Sequence, residues 1–478
     1  MQNIEEMIIM YDVVIIGAGI GGYTAAIRAA QEGLSVAIVE KDLVGGTCLN
    51  RGCIPTKSYL HVANEYSHLS LHHEIGIEIG NISLNRDLLS QYIVNTVDKL
   101  RDGIEFLLRT NKITVYKGKA IVRGASVICV KRNDGEELIE GKNLIIATGS
   151  VPNRLNIPGS KDVNVITSDE IFERENLLPA SIGIMGGGIV GIEFAYLLNK
   201  LGSQVIIVEN TERILGNFDC EISDNVTRYL LKMGIQIHTS SSLSAIENED
   251  DEMICTINTK NGNKSFIADK VLMAIGRKAN INLEGLEELG IDVENGIITT
   301  DNNMETNIKG IYAIGDVAGK GQLAYVAAAQ GICAIAHIVG KDEDFKFNGV
   351  PSCVFIDPEV VCIGESEGSA QIKGIDVRVG RNKMSSNGKA VLEKNDSGYI
   401  KIIIDRKKDT IIGAQVFCKN AIDMSGMLEL IINNEILVKD VISSILPHPS
   451  YLEAIKEAIE DAYGRSISMM NVKRGNAQ

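Results

Sequence analysis

Cys48 and Cys53 stand five residues apart in the string Gly45-Gly46-Thr47-Cys48-Leu49-Asn50-Arg51-Gly52-Cys53-Ile54-Pro55-Thr56-Lys57. Two thiols that can reach each other store and release an electron pair as a disulfide. Their position gives that pair a destination, because they follow a stretch built to hold a nucleotide. A five-residue separation over the first turns of a helix brings two sulfurs within bonding range. Lys57 lies about one helical turn past Cys53, where a cation stabilises a thiolate. Two free core cysteines and a solvated lysine are the plainer readings of the same residues. The spacing is not that of a zinc site, and no second cysteine pair or histidine pair follows.

A proton carrier is also visible. Of seven histidines, only His448 is pinned between prolines, in Leu446-Pro447-His448-Pro449-Ser450-Tyr451-Leu452-Glu453. Pro449 suits the first turn of a helix and Ser450 its cap, so Glu453 can reach back to orient the imidazole. A histidine–carboxylate pair is a usable general acid or base near neutral pH. His61, His68, His72, His73, His238 and His337 carry no such pattern and are read as structural.

The elements that must position these groups form a duplicated unit. Residues 11–16 are a short apolar run rich in β-branched side chains, which predicts a buried parallel strand. Gly17-Ala18-Gly19-Ile20-Gly21-Gly22 follows, then a helical stretch over 23–31, a stop at Gly33, and a second strand over 34–39 ending at Glu40. The same order recurs from residue 182. Gly17, Gly19, Gly22, Gly33 and Glu40 map onto Gly186, Gly188, Gly191, Gly202 and Glu209 at one constant offset of 169 residues. One GxGxxG is weak evidence. Two copies, each after a strand, opening a helix and followed by an acid 23 residues on, predict two dinucleotide-binding units. The first glycine permits the turn, the second admits a pyrophosphate, and the third lets the helix pack. Glu40 and Glu209 would each accept hydrogen bonds from a ribose diol, and Glu209 would repel a 2′-phosphate, favouring NAD over NADP. A surface glutamate at a strand end is the alternative.

Further along, residues 145–150 with Pro152 and Pro158 read as a strand leaving the first unit, and 271–276 leaves the second in the same way. Residues 311–315 read as a return strand, ending at Asp316, an acid able to bind a polyol hydroxyl or to cap a helix. The last segment alternates strands (377–379, 399–404, 410–417) with helical stretches (422–432, 450–462), an α+β pattern without a phosphate loop. The fold class predicted is therefore α/β, two Rossmann-like units plus a C-terminal α+β domain. The expected divisions are 1–155, 156–280, 281–350 as a return segment, and 351–478. At 478 residues the chain suits three or four domains of ~100–200 residues each.

Bulk properties exclude other classes. A net charge of −15 argues against nucleic acid. No apolar run approaches the ~18 residues of a membrane span. Residues 1–10 carry Glu5 and Glu6 without a basic region, unlike a secretory leader. Nine scattered cysteines do not form a secreted disulfide framework, which points to a reducing, cytoplasmic compartment.

From residue 11 to about 462 the chain resembles the flavin-dependent pyridine nucleotide–disulfide oxidoreductases, and among them the dihydrolipoamide dehydrogenases. The resemblance rests on GGTCLNRGCIPTK, the two glycine motifs, TGSVPNRLNIPG, YAIGDVAG, PSCVFIDPE and HPSYLEA. It implies FAD and NAD as cofactors, with Cys48 as the thiol that exchanges with substrate and Cys53 as the thiol against the flavin. Lys57 and Glu193 would pair near the isoalloxazine. Asp316 would hold the ribityl chain and Glu40 the ribose, while Gly17, Gly19, Gly22, Ala120, Thr148, Gly149, Ser150, Ala324 and Gly276 complete the cofactor contacts. Gly186, Gly188, Gly191 and Glu209 would hold NAD. His448, oriented by Glu453, would act on the other subunit's Cys48 across a homodimer interface formed by the final domain. The implied reaction is oxidation of dihydrolipoamide by NAD+, with docking to a lipoyl-bearing 2-oxo acid dehydrogenase or glycine cleavage complex. No lipoyl or docking segment precedes Tyr11, so a separate subunit is expected. Two positions depart from the pattern, Leu446 where a second histidine is common and Ala279 where proline is usual. Neither change removes a catalytic group.

Competing readings are a glutathione- or mercuric-reductase type of enzyme and a non-enzymatic flavoprotein scaffold. The glutathione type would want arginines around 209–213, where only Arg213 is basic. The mercuric type would want a cysteine pair after Cys418. Intact Cys48, Cys53, His448 and Glu453 oppose a scaffold.

Overall fold

A computed structural model describes residues 9–69, 75–173, 176–249, 252–341, 343 and 345–470. His72 and His73 lie outside the described residues.

Strand Ile9–Ile16 runs parallel to Val36–Glu40 on one side and to Gly135–Ile146 on the other. Thr114–Lys117 extends the sheet beyond Val36–Glu40. On the far edge, the long strand Gly135–Ile146 is used twice. Its first half pairs antiparallel with Val127–Arg132, and its end takes Ile311–Ala313 in parallel. The return strand thus completes the first sheet after the chain has left it for more than a hundred residues. Val13, Ile15, Ile38 and Ile145 are buried beneath Ala25, Ala26 and Ala29 of Ile20–Gln31 on one face of the sheet, and Val14, Ile16 and Val39 on the other face pack against the strands Lys119–Val122 and Val127–Arg132.

The second unit repeats the plan. Ser181–Met185 lies between Gln204–Val208 and Lys270–Met273, all parallel, with Val165–Thr167 and Gln236–His238 at the edges. Helices Ile20–Gln31 and Ile189–Lys200 occupy equivalent places after the two glycine turns. A two-stranded antiparallel link, Ser150–Pro152 with Arg277–Ala279, ties the exit from the first unit to the exit from the second.

The C-terminal domain is a five-stranded antiparallel sheet in the order Ser352–Val354, Glu359–Gly364, Thr410–Cys418, Tyr399–Asp405, Val377–Lys383. Helices Ala421–Asn433 and Glu453–Ala462 pack on it and bury Met424, Leu428, Ile455 and Ile459.

One apolar cluster crosses all three parts and fixes the helix that carries Cys53. Tyr59, Leu60 and Ala63 of Cys53–Leu69 pack with Phe194 and Tyr196 of the second unit and with Val354 and Phe417 of the C-terminal domain. Burying each of the larger side chains contributes roughly 1.5–3 kcal/mol, so this helix cannot shift alone. Among the described residues, no helix is long and apolar enough to cross a membrane.

Candidate active site

Cys48 and Cys53 are joined in a disulfide with their Cα atoms 4.6 Å apart. The spacing predicts both on the first turns of one helix, and the structure differs. Cys48 sits in the short helix Gly46–Arg51, and Cys53 opens the next, Cys53–Leu69. Gly52 makes the break. A Cβ there would meet the Thr47 carbonyl oxygen at 2.9 Å, so only glycine lets the chain fold back tightly enough. Cys53 therefore occupies a helix N-terminus, where the helix dipole favours a thiolate.

The dithiol loop is fastened directly to the first glycine turn. The Gly45 N–H donates to the Ala18 carbonyl at 2.8 Å, and Gly45 forms a parallel bridge with Gly19. A Cβ on Gly46 would come within 2.7 Å of the Gly19 Cα. Asn50 Nδ2 donates to the Val44 and Gly46 carbonyls, both at 3.0 Å, and holds the loop closed.

The two glycine turns are built alike. A Cβ on Gly17 would lie 2.4 Å from the Ala147 oxygen, and one on Gly186 2.4 Å from the Ala274 oxygen. A Cβ on Gly22 or Gly191 would lie 2.0 Å from the carbonyl of its own first glycine, while Gly19 and Gly188 face open space. Neither following helix has a side-chain cap, so its first N–H groups are left for an anion. Each terminal acid braces its own turn. Glu40 Oε2 accepts from the Ala18 N–H at 2.7 Å, and Glu209 Oε2 accepts from the Gly187 N–H at 2.7 Å. Glu209 Oε1 also takes the Thr211 N–H and hydroxyl, each at 2.7 Å.

A cavity of about 1270 Å³ runs between these parts. Its lining includes Gly17, Gly19, Gly22, Glu40, Cys48, Cys53, Lys57, Ala120, Thr148, Gly149, Ser150, Asp316 and Ala324, and from the second unit Gly188, Glu193 and Gly276. Gly186, Gly191 and Glu209 are not in that lining. The first two form the turn behind Gly188, and Glu209 stands behind Gly187. The volume exceeds the ~300–1,000 Å³ of ordinary small-ligand pockets and suits a dinucleotide. The open Gly19, the uncapped helix N-termini and the Glu40 and Asp316 carboxylates are the donors and acceptors an adenine dinucleotide needs, so the residues fit FAD. Asp316 lies within the turn Gly315–Ala318 rather than at a helix cap, and it accepts a hydrogen bond from the Ser150 hydroxyl.

Lys57 Nζ contacts both Glu193 oxygens, at 2.8 and 3.0 Å, and sits 4.1 Å from the centre of the Phe355 ring. The Phe355 N–H donates to Glu193 Oε1 at 3.0 Å. The pair thus joins the dithiol helix, the second unit and the C-terminal sheet at the cavity wall.

His448 lies elsewhere. Its side chain is 77% exposed and outside the cavity lining, with Nδ1 2.9 Å from Glu453 Oε1. That contact leaves Nε2 as the nitrogen available for proton exchange. Burial pushes the Glu453 carboxyl up, but hydrogen bonds from His448 and the Ser450 N–H outweigh it and bring it below the usual range. The helix expected from Pro449 begins only at Glu453, with Leu452 at its N-cap. Ser450 does not cap it through its hydroxyl, which is buried without a partner; its N–H instead donates to Glu453 Oε2 at 2.8 Å. Glu453 thus reaches back to the Ser450 backbone, while no hydroxyl of Ser450 reaches forward to the helix. Of the histidines read as structural, His68 Nε2 lies 3.0 Å from Asp357 and His337 3.7 Å from Glu305.

The cavity residues not singled out from sequence include Arg277, Cys353 and Phe355. Arg277 could have been found from the Gly-Arg that leaves the second unit. Cys353 and Phe355 lie inside PSCVFIDPE, but nothing local marks them. Burial pushes the Cys353 thiol up to about 11, which keeps it protonated and unreactive.

Residues 11–331 match the model of the pyridine nucleotide-disulphide oxidoreductases, and residues 350–459 match the dimerisation domain of the same proteins. The chain belongs to the pyridine nucleotide-disulphide oxidoreductase family. A dihydrolipoyl dehydrogenase of Bacillus subtilis (strain 168) is 39% identical over 471 residues, covering 96% of this chain and 99% of that one. One from Chlamydia muridarum is 37% identical over 451 residues, covering 94% and 96%. Among solved structures, the HOCl-induced flavoprotein disulfide reductase RclA of Escherichia coli superposes with a TM-score of 0.84 at 26% identity, covering 94% of this chain and 99% of that one. As in its relatives, FAD and NAD are the cofactors of this oxidoreductase, and the C-terminal sheet is its dimerisation domain.

Proposed function

We propose that this chain is a dihydrolipoamide dehydrogenase, oxidising dihydrolipoamide to lipoamide and reducing NAD+, and that it works as a cytoplasmic homodimer. The observation that carries the reading is the cavity that joins the Cys48–Cys53 disulfide to both glycine turns and to the Lys57–Glu193 pair.

Gly17, Gly19, Gly22, Glu40, Thr148, Gly149, Ser150 and Asp316 would hold FAD, with Ala120 and Ala324 at its edges. Gly186, Gly188, Gly191, Glu209 and Gly276 would hold NAD. Bound FAD supplies the two-electron exchange between dithiol and nicotinamide. In the dimer, each His448 serves the Cys48 of the other subunit. It takes a thiol proton from dihydrolipoamide at Nε2, and Glu453 stabilises the imidazolium that forms. The substrate thiolate attacks Cys48, the Cys48–Cys53 bond breaks, and Cys53 leaves as a thiolate. The second substrate sulfur then displaces Cys48 and releases lipoamide, leaving both cysteines reduced. The helix N-terminus and Lys57 hold the Cys53 charge. Glu209 disfavours a 2′-phosphate, which supports NAD over NADP. The lipoyl group would arrive on a carrier protein of a 2-oxo acid dehydrogenase or glycine cleavage assembly.

The test is NAD+ reduction by dihydrolipoamide, measured beside NADPH-dependent reduction of oxidised glutathione. Turnover confined to the first supports the reading. Glutathione turnover, or a bound flavin that dihydrolipoamide does not bleach, defeats it.

A further inference from the structure

Where the two nucleotide units meet, four polar side chains from distant parts of the chain form one line. Arg277 Nη1 donates to Asp169 Oδ1 at 2.8 Å. Arg277 Nε donates to the Ser150 hydroxyl oxygen at 2.9 Å, and Nη2 to the Ser150 carbonyl at 3.0 Å. The Ser150 hydroxyl donates to Asp316 Oδ2. Asp169 and Arg277 belong to the second unit, Ser150 to the link, and Asp316 to the return segment of the first.

The chemistry of this line fixes its direction. A guanidinium has only donors, so the Ser150 oxygen must accept from Arg277. The hydroxyl has one proton, and that proton is therefore committed to Asp316. One carboxylate oxygen of Asp316 is thereby engaged, and Asp316 lines the cavity. The backbone is as constrained as the side chains. Arg277–Ala279 pairs antiparallel with Ser150–Pro152, and the Gln322 amide donates to the Arg277 carbonyl at 3.1 Å. Arg277 and Asp169 are largely buried, with side chains 16% and 23% exposed.

We propose that Arg277 is a positioning residue for FAD: acting through Ser150, it sets the orientation of the Asp316 carboxylate, so the nicotinamide unit helps hold the flavin of the other unit. The proposal rests on the assignment of Asp316 to the FAD ribityl chain. Lysine cannot replace Arg277 in this role, because one ammonium lacks the planar fork that reaches Asp169 and Ser150 together.

The test measures the rate of FAD loss from purified holoenzyme, read as the rise of free-flavin fluorescence, for Asp316→Asn, Ser150→Ala, Arg277→Lys, Arg277→Met and the Ser150→Ala/Arg277→Met double variant. Losing a hydrogen bond to a charged group should speed release about tenfold in Ser150→Ala and in Arg277→Met. Arg277→Lys should resemble Arg277→Met. Because the contacts lie in series, the double variant should release FAD no faster than the faster single one. If Ser150 acted on FAD by itself, Arg277→Lys would release FAD at the parental rate. That result, or multiplied effects in the double variant, would overturn the proposal. Should Arg277→Met fail to fold, Ser150→Ala against Arg277→Lys makes the same comparison. If Asp316→Asn retains FAD at the parental rate, the ribityl assignment falls and this proposal with it. If Asp316→Asn releases FAD quickly while Ser150→Ala and Arg277→Lys do not, only the relay fails.

Discussion

Removing Lys57 should destabilise the holoenzyme more than removing both members of its ion pair. Glu193 is the buried partner, with its side chain 4% exposed against 29% for Lys57. It accepts two contacts from Nζ, at 2.8 and 3.0 Å, and one from the Phe355 N–H at 3.0 Å. In Lys57→Met the apolar stem still covers the Phe355 ring, but a desolvated carboxylate keeps only a single N–H. Breaking a buried pair from one side costs roughly 3–5 kcal/mol, and the partial exposure of Lys57 places this case at about 3 kcal/mol. In Lys57→Met/Glu193→Gln no charge is stranded, and the Gln oxygen still accepts from Phe355. That double variant should recover most of the loss. Glu193→Gln alone should cost about 1 kcal/mol, because the ammonium it strands reaches water. The assay is thermal unfolding of holoenzyme at fixed excess FAD, which keeps the ligand contribution constant. The expected order of midpoints is parent, Glu193→Gln and double variant close together, Lys57→Met lowest. A double variant that melts at or below Lys57→Met would refute the reasoning, since it would mean that the pair is not held against a buried carboxylate.

Three further outcomes are expected. Cys48→Ser should abolish dihydrolipoamide turnover yet keep a long-wavelength absorbance from the Cys53 thiolate against flavin; loss of that band would reverse the two thiol roles. Glu209→Ala should raise the dissociation constant for NADH about tenfold and leave FAD retention unchanged, because it removes acceptors for Gly187 and Thr211 in the second unit only, as titration of NADH and of FAD would show. Burial pushes the Glu359 carboxyl up to about 7, against the Ile422 N–H that lowers it. The folded state therefore holds this proton while the unfolded state sheds it, so stability should fall as pH rises from about 4.5 to about 7; Glu359→Gln should flatten that fall in a melting-temperature profile.

The parts of the fold that were legible in the sequence are those set by local demands. Gly17 and Gly186 announce their turns because no other side chain clears the carbonyl opposite, and the strands before them are short β-branched runs with both faces buried. The strand exits at 145–150 and 271–276 were visible as apolar runs, but not the antiparallel link that joins Ser150–Pro152 to Arg277–Ala279. That link pairs residues more than a hundred positions apart, and nothing in either stretch names the other. The break at Gly52 was missed for a different reason. Helical spacing continues through it, and only the Thr47 carbonyl in three dimensions shows that the chain must turn there. The late start of the helix Glu453–Ala462 is not legible because Pro449 and Ser450 read as an opening, while in the fold the Ser450 hydroxyl makes no forward cap and only its N–H bonds the Glu453 carboxylate.

The duplicated units also show where the redox function enters. In the first, the Gly45 N–H docks on the Ala18 carbonyl at 2.8 Å; in the second, the Leu215 N–H docks on the Gly187 carbonyl at 2.8 Å. Ala18 and Gly187 are equivalent positions, so both units close the mouth of their glycine turn with the same backbone bond. Beyond that bond the two copies diverge. Past Leu215 the chain runs through Asn217 and Phe218 to the N-cap Asp219, a path that presents no thiol to the cavity. Past Gly45 it enters Gly46–Arg51 and reverses at Gly52, which sets two sulfurs within bonding distance beside the turn. The holder of the nucleotide is thus common property of both copies, and the dithiol is an elaboration of a contact they share. This placement needs a small residue at each of three points: Gly45 and Gly46, left-handed at φ 99° and 62°, and Gly52 against Thr47. A side chain at Gly46 would push the loop off Gly19 and carry both cysteines away from the cofactor cavity, so the sulfur chemistry depends on backbone contacts that involve no sulfur at all.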